Sequence, residues 1–195
     1  MGEDDASLMH SDFDEREVIL AAKQGDCGAF KLIYEQHRDS VYNLVSYSLN
    51  DARLIEDVVQ IVFLKVYRGL PGFRFEANLS TWIYRVTINE CQNQNRPRKT
   101  RFVSFETIAG SGEEVDTASI PEKLQSNRER QEIVDQAVMA LSPRLRAVVV
   151  LKYVEGLSYD EIADVLELPA GTVASRLNRA LEGLESRLLP LKPVL

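Results

Sequence analysis

Polar and apolar positions along this chain repeat every three or four residues, and nowhere do they alternate long enough to predict a strand. Asp14-Glu15-Arg16-Glu17 has the form of a capping box and predicts a short helix to residue 23, ended by Gly25-Asp26. A second helix is expected over 28–49, with Phe30, Ile33, Tyr34, Val41, Leu44, Val45 and Leu49 on its apolar stripe. A third starts at residue 50 or 51 and runs to 68 on Ile55, Val58, Val59, Val62, Phe63, Val66 and Tyr67. Gly69, Pro71 and Gly72 then break the chain, and a loop over 73–78 leads into a fourth helix, 80–95, stopped by Arg96-Pro97.

Periodicity disappears from 107 to 121, where Gly110, Gly112 and Pro121 punctuate a polar stretch. So long a loop within one compact domain would be unusual, so the stretch predicts a linker. Helical spacing resumes over 128–140. Ser142-Pro143 supplies a cap and a first-turn proline for a helix to 155, which Gly156 ends. Ser158-Tyr159-Asp160-Glu161 forms a second capping box for a helix to 166, and Pro169 opens a last helix to 188. The expected fold is all-α: an acidic tail (1–13), a first helical domain (14–101), a linker (102–127) and a second helical domain (128–190).

Charge changes this picture. The chain has 23 Lys+Arg against 30 Asp+Glu, a formal net charge of −7 that on its face disfavours nucleic acid. The acids are concentrated, however, in the tail and the linker. Residues 28–105 hold 11 basic against 7 acidic side chains, and 123–195 hold 10 of each. Between Cys91 and Phe105 no acid occurs, while Arg96, Arg98, Lys99 and Arg101 cluster. Net acidity therefore describes solubility rather than the binding faces. Two cysteines are too few for a disulfide framework, no apolar run reaches membrane length, and the N-terminus lacks signal-peptide order. These point to the cytoplasm, with no membrane insertion.

The stretch 158–181 has helix-turn-helix form. Ile162, Val165 and Leu166 face inward on its first helix. Val173, Leu177, Ala180, Leu181, Leu184 and Leu188 do so on its second, and small Ala163 suits a close helix crossing. Outward near the start of the second helix stand Ala170, Gly171, Thr172, Ala174, Ser175, Arg176 and Arg179. Small side chains with arginines suit entry into a DNA major groove, although an αα-hairpin with a solvated face has the same pattern. The fourth helix opens Ser80-Thr81-Trp82-Ile83-Tyr84-Arg85 and continues through Gln92, Asn93, Gln94 and Asn95. Aromatics, amides and cations together suit single-stranded or distorted nucleic acid. Burial tendencies nonetheless favour Trp82 as a core anchor, and Arg85 also reads as a surface ion-pair partner.

Four colinear motifs carry a family resemblance. They are Asp57-Val58-Val59-Gln60-Ile61-Val62-Phe63-Leu64 with Leu70-Pro71-Gly72-Phe73-Arg74; Ser80-Thr81-Trp82-Ile83-Tyr84-Arg85-Val86 with Asn89; Leu141-Ser142-Pro143 with Arg146 and Gly156-Leu157-Ser158-Tyr159-Asp160-Glu161-Ile162-Ala163; and Gly171-Thr172-Val173-Ala174-Ser175-Arg176. In this order the chain resembles the extracytoplasmic-function (ECF, group 4) sigma factors of bacterial RNA polymerase, over roughly residues 15–188. The resemblance implies a sigma-2 and a sigma-4 domain with no sigma-3 between them. It implies that Glu56, Asp57, Gln60, Ile61 and Leu64 dock on the polymerase clamp. It implies −10 recognition and melting by Arg74, Phe75, Asn78, Thr81, Trp82, Arg85, Asn89, Asn93, Arg96, Arg98 and Lys99. It also implies −35 recognition by Arg144, Arg146, Ser158, Thr172, Ser175, Arg176 and Arg179, with Pro143 and Lys152 near the phosphates. Core RNA polymerase (clamp and flap regions), promoter DNA and an anti-sigma factor are the implied partners, and the acidic linker would enter the polymerase cleft as a nucleic-acid mimic. Two positions depart from the family pattern. Ile61 stands where many relatives have an acid, and Ala174 stands where many have Arg or Lys, which throws −35 reading onto Arg176 and Arg179.

The alternative is a free-standing two-domain transcription regulator, which leaves the docking helix and the Trp82 helix unexplained. An enzyme is disfavoured. His10 and His37 are isolated, no Cys-x-x-Cys or glycine-rich phosphate loop occurs, and no nucleophile–base arrangement can be named. No metal or cofactor is expected, and Cys91 reads as a buried thiol before a redox sensor.

Overall fold

A computed structural model describes residues 15–49, 51–95 and 127–189 of the chain. The acidic tail, Asp14 of the first expected capping box, the linker before residue 127, and Arg96, Arg98, Lys99 and Arg101 lie outside the described residues. Within them are eight α-helices and no strand: α1 (Glu15–Lys23), α2 (Cys27–Ser48), α3 (Ile55–Gly69), α4 (Leu79–Asn95), α5 (Asn127–Met139), α6 (Pro143–Val149), α7 (Tyr159–Leu166) and α8 (Ala170–Leu188). All-α architecture is as expected.

The breaks between helices are made by a few residues. Gly25, at φ +93°, ends α1, with Gly25 N–H to Ala22 O at 3.0 Å and Asp26 N–H to Ala21 O at 3.2 Å, the two bonds of a Schellman closure. Asp26 then caps α2, its carboxylate accepting from the N–H groups of Gly28 at 2.7 Å and Ala29 at 3.1 Å. Ser158 and Glu161 make the full reciprocal capping box at the start of α7. Ser142 differs from expectation. It precedes Pro143, but its hydroxyl makes no cap, and its carbonyl instead accepts from Leu145 and Arg146 N–H, both at 2.9 Å. The helix after Pro143 also does not stay regular to 155. From Val150 to Val154 it widens into a π turn, with Glu155 N–H bonded to Val150 O at 3.1 Å.

In the first domain α1–α4 enclose Ile19, Ile33, Val41, Val45, Val58, Val62, Val66, Leu70 and Ile83. In the second, α5–α8 enclose Val148, Leu151, Ile162, Val165, Val173, Leu177 and Ala180. Leu181 falls off the inner stripe and is exposed, because burial on α8 follows Val173, Leu177, Ala180 and Leu184. The two domains are not separate globules. Leu44, Tyr84 and Ile88 of the first are buried in the core of the second, with α4 packed along α7 and α2 against α6. This follows from α2 and α4 having two buried faces each. Val45 and Ile83 point into the first core while their neighbours Leu44 and Tyr84 point into the second.

Candidate nucleic-acid and polymerase interfaces

The loop before α4 is built from aromatic rings. Lys23 Nζ donates to Phe73 O at 2.5 Å and anchors the loop to α1. Phe73 packs against Trp82 (ring centroids 5.4 Å apart) and Phe75 (5.1 Å). Phe75 has φ +59°, left-handed backbone that an aromatic residue rarely adopts and that stores about 1–3 kcal/mol of strain. Its ring is clasped by Arg16, whose guanidinium carbon lies 4.5 Å from the centroid, and by Lys23 at 5.1 Å. Trp82 lies over Gly69, where a Cβ would meet Trp82 Cζ2 at 3.0 Å. So Trp82 is part anchor and part surface; Arg74 and Asn78 of the loop are exposed, as are Asn89 and Asn93 about two and three turns further along α4.

Two members of this expected −10 group stand differently. Thr81 is only 2% exposed, and Arg85 is half-buried, its Nε donating to Asp164 O at 3.0 Å with Glu167 Oε1 4.0 Å away. Between the loop, α1 and α7 opens a cleft of about 490 Å³, with Phe75, Asn78 and Thr81 on one side and Glu161 and Asp164 on the other. Deeper in α4, Glu90 is buried and paired with Lys65 of α3, and Gln94 Nε2 donates to it at 2.6 Å. Burial alone would raise its carboxyl, but these hydrogen bonds outweigh it and hold the pKa below the ordinary value. Cys91 is buried, and burial, with Glu90 adding to it, pushes its thiol up to about 12, which disfavours the reactive thiolate.

In the helix-turn-helix, the connection passes through Glu167 at φ +53°, with Leu168 N–H closing onto Ala163 O at 3.0 Å. Thr172, Ser175, Arg176 and Arg179 line the outer side of α8. Ser175 and Arg179 are exposed, while Thr172 and Arg176 are half-buried. Arg176 and Arg144 rim a groove of about 510 Å³ between the domains, floored by Ile88, Ala147 and Leu166. Ser158 is exposed, but its hydroxyl bonds Glu161 Oε2 at 2.7 Å. Those bonds from Ser158, with Asn78 contributing less, hold the Glu161 carboxyl below its usual range.

Arg146 does not stand ready for phosphate in this arrangement. It is 6% exposed and gathers carbonyls, donating to Met139 O at 2.6 Å, Leu141 O at 3.0 Å and Tyr47 O of the first domain at 2.9 Å. Burial lowers its pKa from the ordinary guanidinium value. Sequence reasoning missed the other links between the domains. Tyr84 Oη donates to Glu155 Oε2 at 2.9 Å, and Tyr47 Oη donates to Asp135 Oδ1 at 2.5 Å. The only signal was that Leu44 and Tyr84 continue apolar faces beyond what one core needs.

The expected docking residues lie on α3, beside α2. Glu56, Asp57, Gln60 and Leu64 are exposed, Leu64 to 54%, and Ile61 is half-buried. Tyr34 packs edge-on against Phe63 at 4.6 Å and Phe30 against Tyr67 at 4.9 Å. Beside them Tyr34, Arg38, Tyr42, Glu56 and Gln60 line a groove of about 460 Å³. Among the described residues no three His, Cys, Asp or Glu side chains are grouped to hold a metal, and no helix is long and apolar enough to cross a membrane.

The described residues thus form two helical modules, one with an aromatic loop-and-helix face and one a helix-turn-helix. Family comparison gives the same two modules: residues 33–101 match Sigma-70 region 2, and residues 131–184 match Sigma-70, region 4. The ECF RNA polymerase sigma-E factor of Haemophilus influenzae is 32% identical over 185 residues, covering 91% of this chain and 96% of the relative. RNA polymerase sigma-H factor of Pseudomonas aeruginosa is 33% identical over 183 residues, covering 91% and 95%. The chain belongs to the ECF sigma factors of RNA polymerase. Its fold resembles CnrH, solved in complex with the cytosolic domain of CnrY (TM-score 0.66, 21% identity, covering 89% of this chain and 96% of that one). It also resembles the sigma factor RpoE of Bartonella quintana, solved with the anti-sigma factor NepR (TM-score 0.64, 22% identity, covering 82% and 96%).

Proposed function

We propose that this chain docks on core RNA polymerase through the α2–α3 face, opens and reads the −10 element with the 73–78 loop and α4, and reads the −35 element with α8. It acts by binding and carries out no bond chemistry of its own. The observation that carries the reading is the α4 face. Exposed Arg74 and Asn78 flank the Trp82–Phe73–Phe75 rings, and exposed Asn89 and Asn93 follow about two and three turns further along α4, supplying amides that can bond a base edge on the helix that carries a ring on which a base can stack. Arg176 and Arg179 supply the groove-reading cations on α8, and Arg144 a phosphate contact. Two modules on one chain engage two DNA sites together and gain avidity without new contacts.

Control by an anti-sigma factor is part of this proposal. The solved complex of RpoE with the anti-sigma factor NepR supports it for a protein of this fold. The exposed apolar side chains Tyr34, Leu64 and Tyr67 give such a partner, like the polymerase, a surface to cover. A free-standing regulator would leave that face without a purpose. The reading is tested by pull-down of core polymerase with the purified chain. Wild type is retained, and Gln60→Ala with Leu64→Ala weakens retention at least tenfold. No retention of wild type overturns the proposal.

A further inference from the structure

We infer that two cations of α1, Arg16 and Lys23, are positioning residues for promoter reading: they clasp Phe75 and so fix which side chains of the 73–78 loop face the DNA. This rests on the reading of that loop proposed above. Neither residue belongs to the segment 33–101 that matches Sigma-70 region 2. Helical geometry brings both to one ring. They stand seven residues apart on one face of α1, about 10.5 Å along its axis, and Ile19 between them is buried in the first core. Arg16 lies 4.5 Å and Lys23 5.1 Å from the Phe75 centroid, and Lys23 also bonds Phe73 O at 2.5 Å. Arg16 and Ile19 form the α1 side of the same cleft that Phe75, Asn78 and Thr81 line.

Backbone bonds fix the loop at its two ends. Phe73 N–H bonds Leu70 O at 3.0 Å, and Asn78 O accepts from Trp82 N–H at 3.1 Å. Between these ends the side chains alternate. Phe73 is buried and Phe75 and Ala77 are half-buried, while Arg74, Glu76 and Asn78 are exposed. The alternation turns on Phe75, the residue of the loop with positive φ (+59°). An aromatic residue released from that backbone relaxes out of it, and the peptides on either side, which carry Arg74 and Glu76, turn with it. The attraction of its ring for the two cations, with the packing on Phe73 at 5.1 Å, opposes that release. The clasp therefore sets Arg74, Glu76 and Asn78 outward before DNA arrives. A base taken out of the stack then meets a formed surface, and the loop loses little freedom in binding it.

The test uses the full chain bound to core polymerase and a pool of single-stranded DNA 16-mers randomised at their centre, sequenced before and after selection. Wild type is expected to enrich its preferred base about tenfold at the positions it reads. Arg16→Met/Lys23→Met keeps two unbranched side chains without their charge. It should cut that enrichment to about twofold at one or two neighbouring positions and leave the others, including the position that Asn89→Ala alters, unchanged. Arg16→Lys/Lys23→Arg keeps both cations and should keep the wild-type profile. Lys23→Met alone removes the bond to Phe73 O, leaves Arg16 on the ring and should fall between. Lys31→Met/Arg130→Met loses the same charge from exposed positions on α2 and α5 and should match wild type. An unchanged profile in Arg16→Met/Lys23→Met, or a loss of equal size at every position, overturns the positioning role alone. No enrichment by wild type overturns the reading of the loop and the positioning role with it.

Discussion

Tyr84 of α4 donates its hydroxyl to Glu155 Oε2 in the other domain at 2.9 Å, while Glu155 Oε1 is buried with no partner. The carboxylate depends on that one hydroxyl. Tyr84→Phe removes the donor and leaves both oxygens unsatisfied, which costs about 1–3 kcal/mol. Glu155→Gln keeps an acceptor and removes the charge, so it costs less. The midpoint of urea unfolding of the full chain checks the order: wild type highest, Glu155→Gln next, Tyr84→Phe lowest.

The same contact predicts alkaline behaviour. Burial first, then the charge of and hydrogen bond to Glu155, raise Tyr84 to about 12, and burial with Asp135 raises Tyr47 to about 12. An unfolded tyrosine loses its proton near 10, so above that pH the unfolded chain binds fewer protons than the folded one. Stability is complete below pH 10 and falls as pH rises towards 12. His37 gives the acid counterpart. Burial lowers its pKa from 6.5, so the unfolded chain takes up a proton first, and stability falls as pH drops below 6.5. Urea midpoints across pH 5–12 should form a plateau with both shoulders, and His37→Gln should flatten the acid one.

Arg146 and Arg176 are both arginines of the helix-turn-helix domain, but they divide by role. Arg146→Met leaves the carbonyls of Met139, Leu141 and Tyr47 unpaired and should destabilise the chain by about 3 kcal/mol. Arg176→Ala should leave stability within about 0.5 kcal/mol and weaken duplex binding at one position of the −35 element. Urea unfolding and a DNA-binding series over single base changes separate the two. Uniform loss across all sequences for Arg176→Ala reassigns it to the backbone.

Gly69 predicts a spectroscopic result. A Cβ there would meet Trp82 Cζ2 at 3.0 Å, so Gly69→Ala makes the indole yield by a few tenths of an ångström in its seat beside Phe73. Trp82 is the sole tryptophan, so the emission maximum reports the shift directly. Overpacking of this kind costs about 1–3 kcal/mol.

The helix boundaries were legible because their determinants are local. Gly25 with Asp26, Ser158 with Glu161, and Gly156 are punctuation that works within a turn of sequence. Asn78, Asn89 and the stretch Glu56 to Leu64 were singled out by the family motifs, and the structure shows Asn78, Asn89, Glu56, Asp57, Gln60 and Leu64 exposed. The interface between domains was not legible. An apolar residue does not say which of two cores it joins, and Leu44 beside Val45 reads as one wide stripe until both domains are placed. Arg146 looks identical in sequence whether it meets phosphate or three carbonyls. Left-handed backbone at Phe75 has no residue signature, since the rings of Phe73 and the cations of α1 impose it from outside.

The central claim, that the chain directs RNA polymerase to promoters, is tested most directly by run-off transcription over a library of genomic fragments, with core polymerase alone and with the chain added. The account predicts transcripts from discrete start sites, preceded by paired −35 and −10 elements, that appear only when the chain is present. Identical transcripts with and without it would contradict the account.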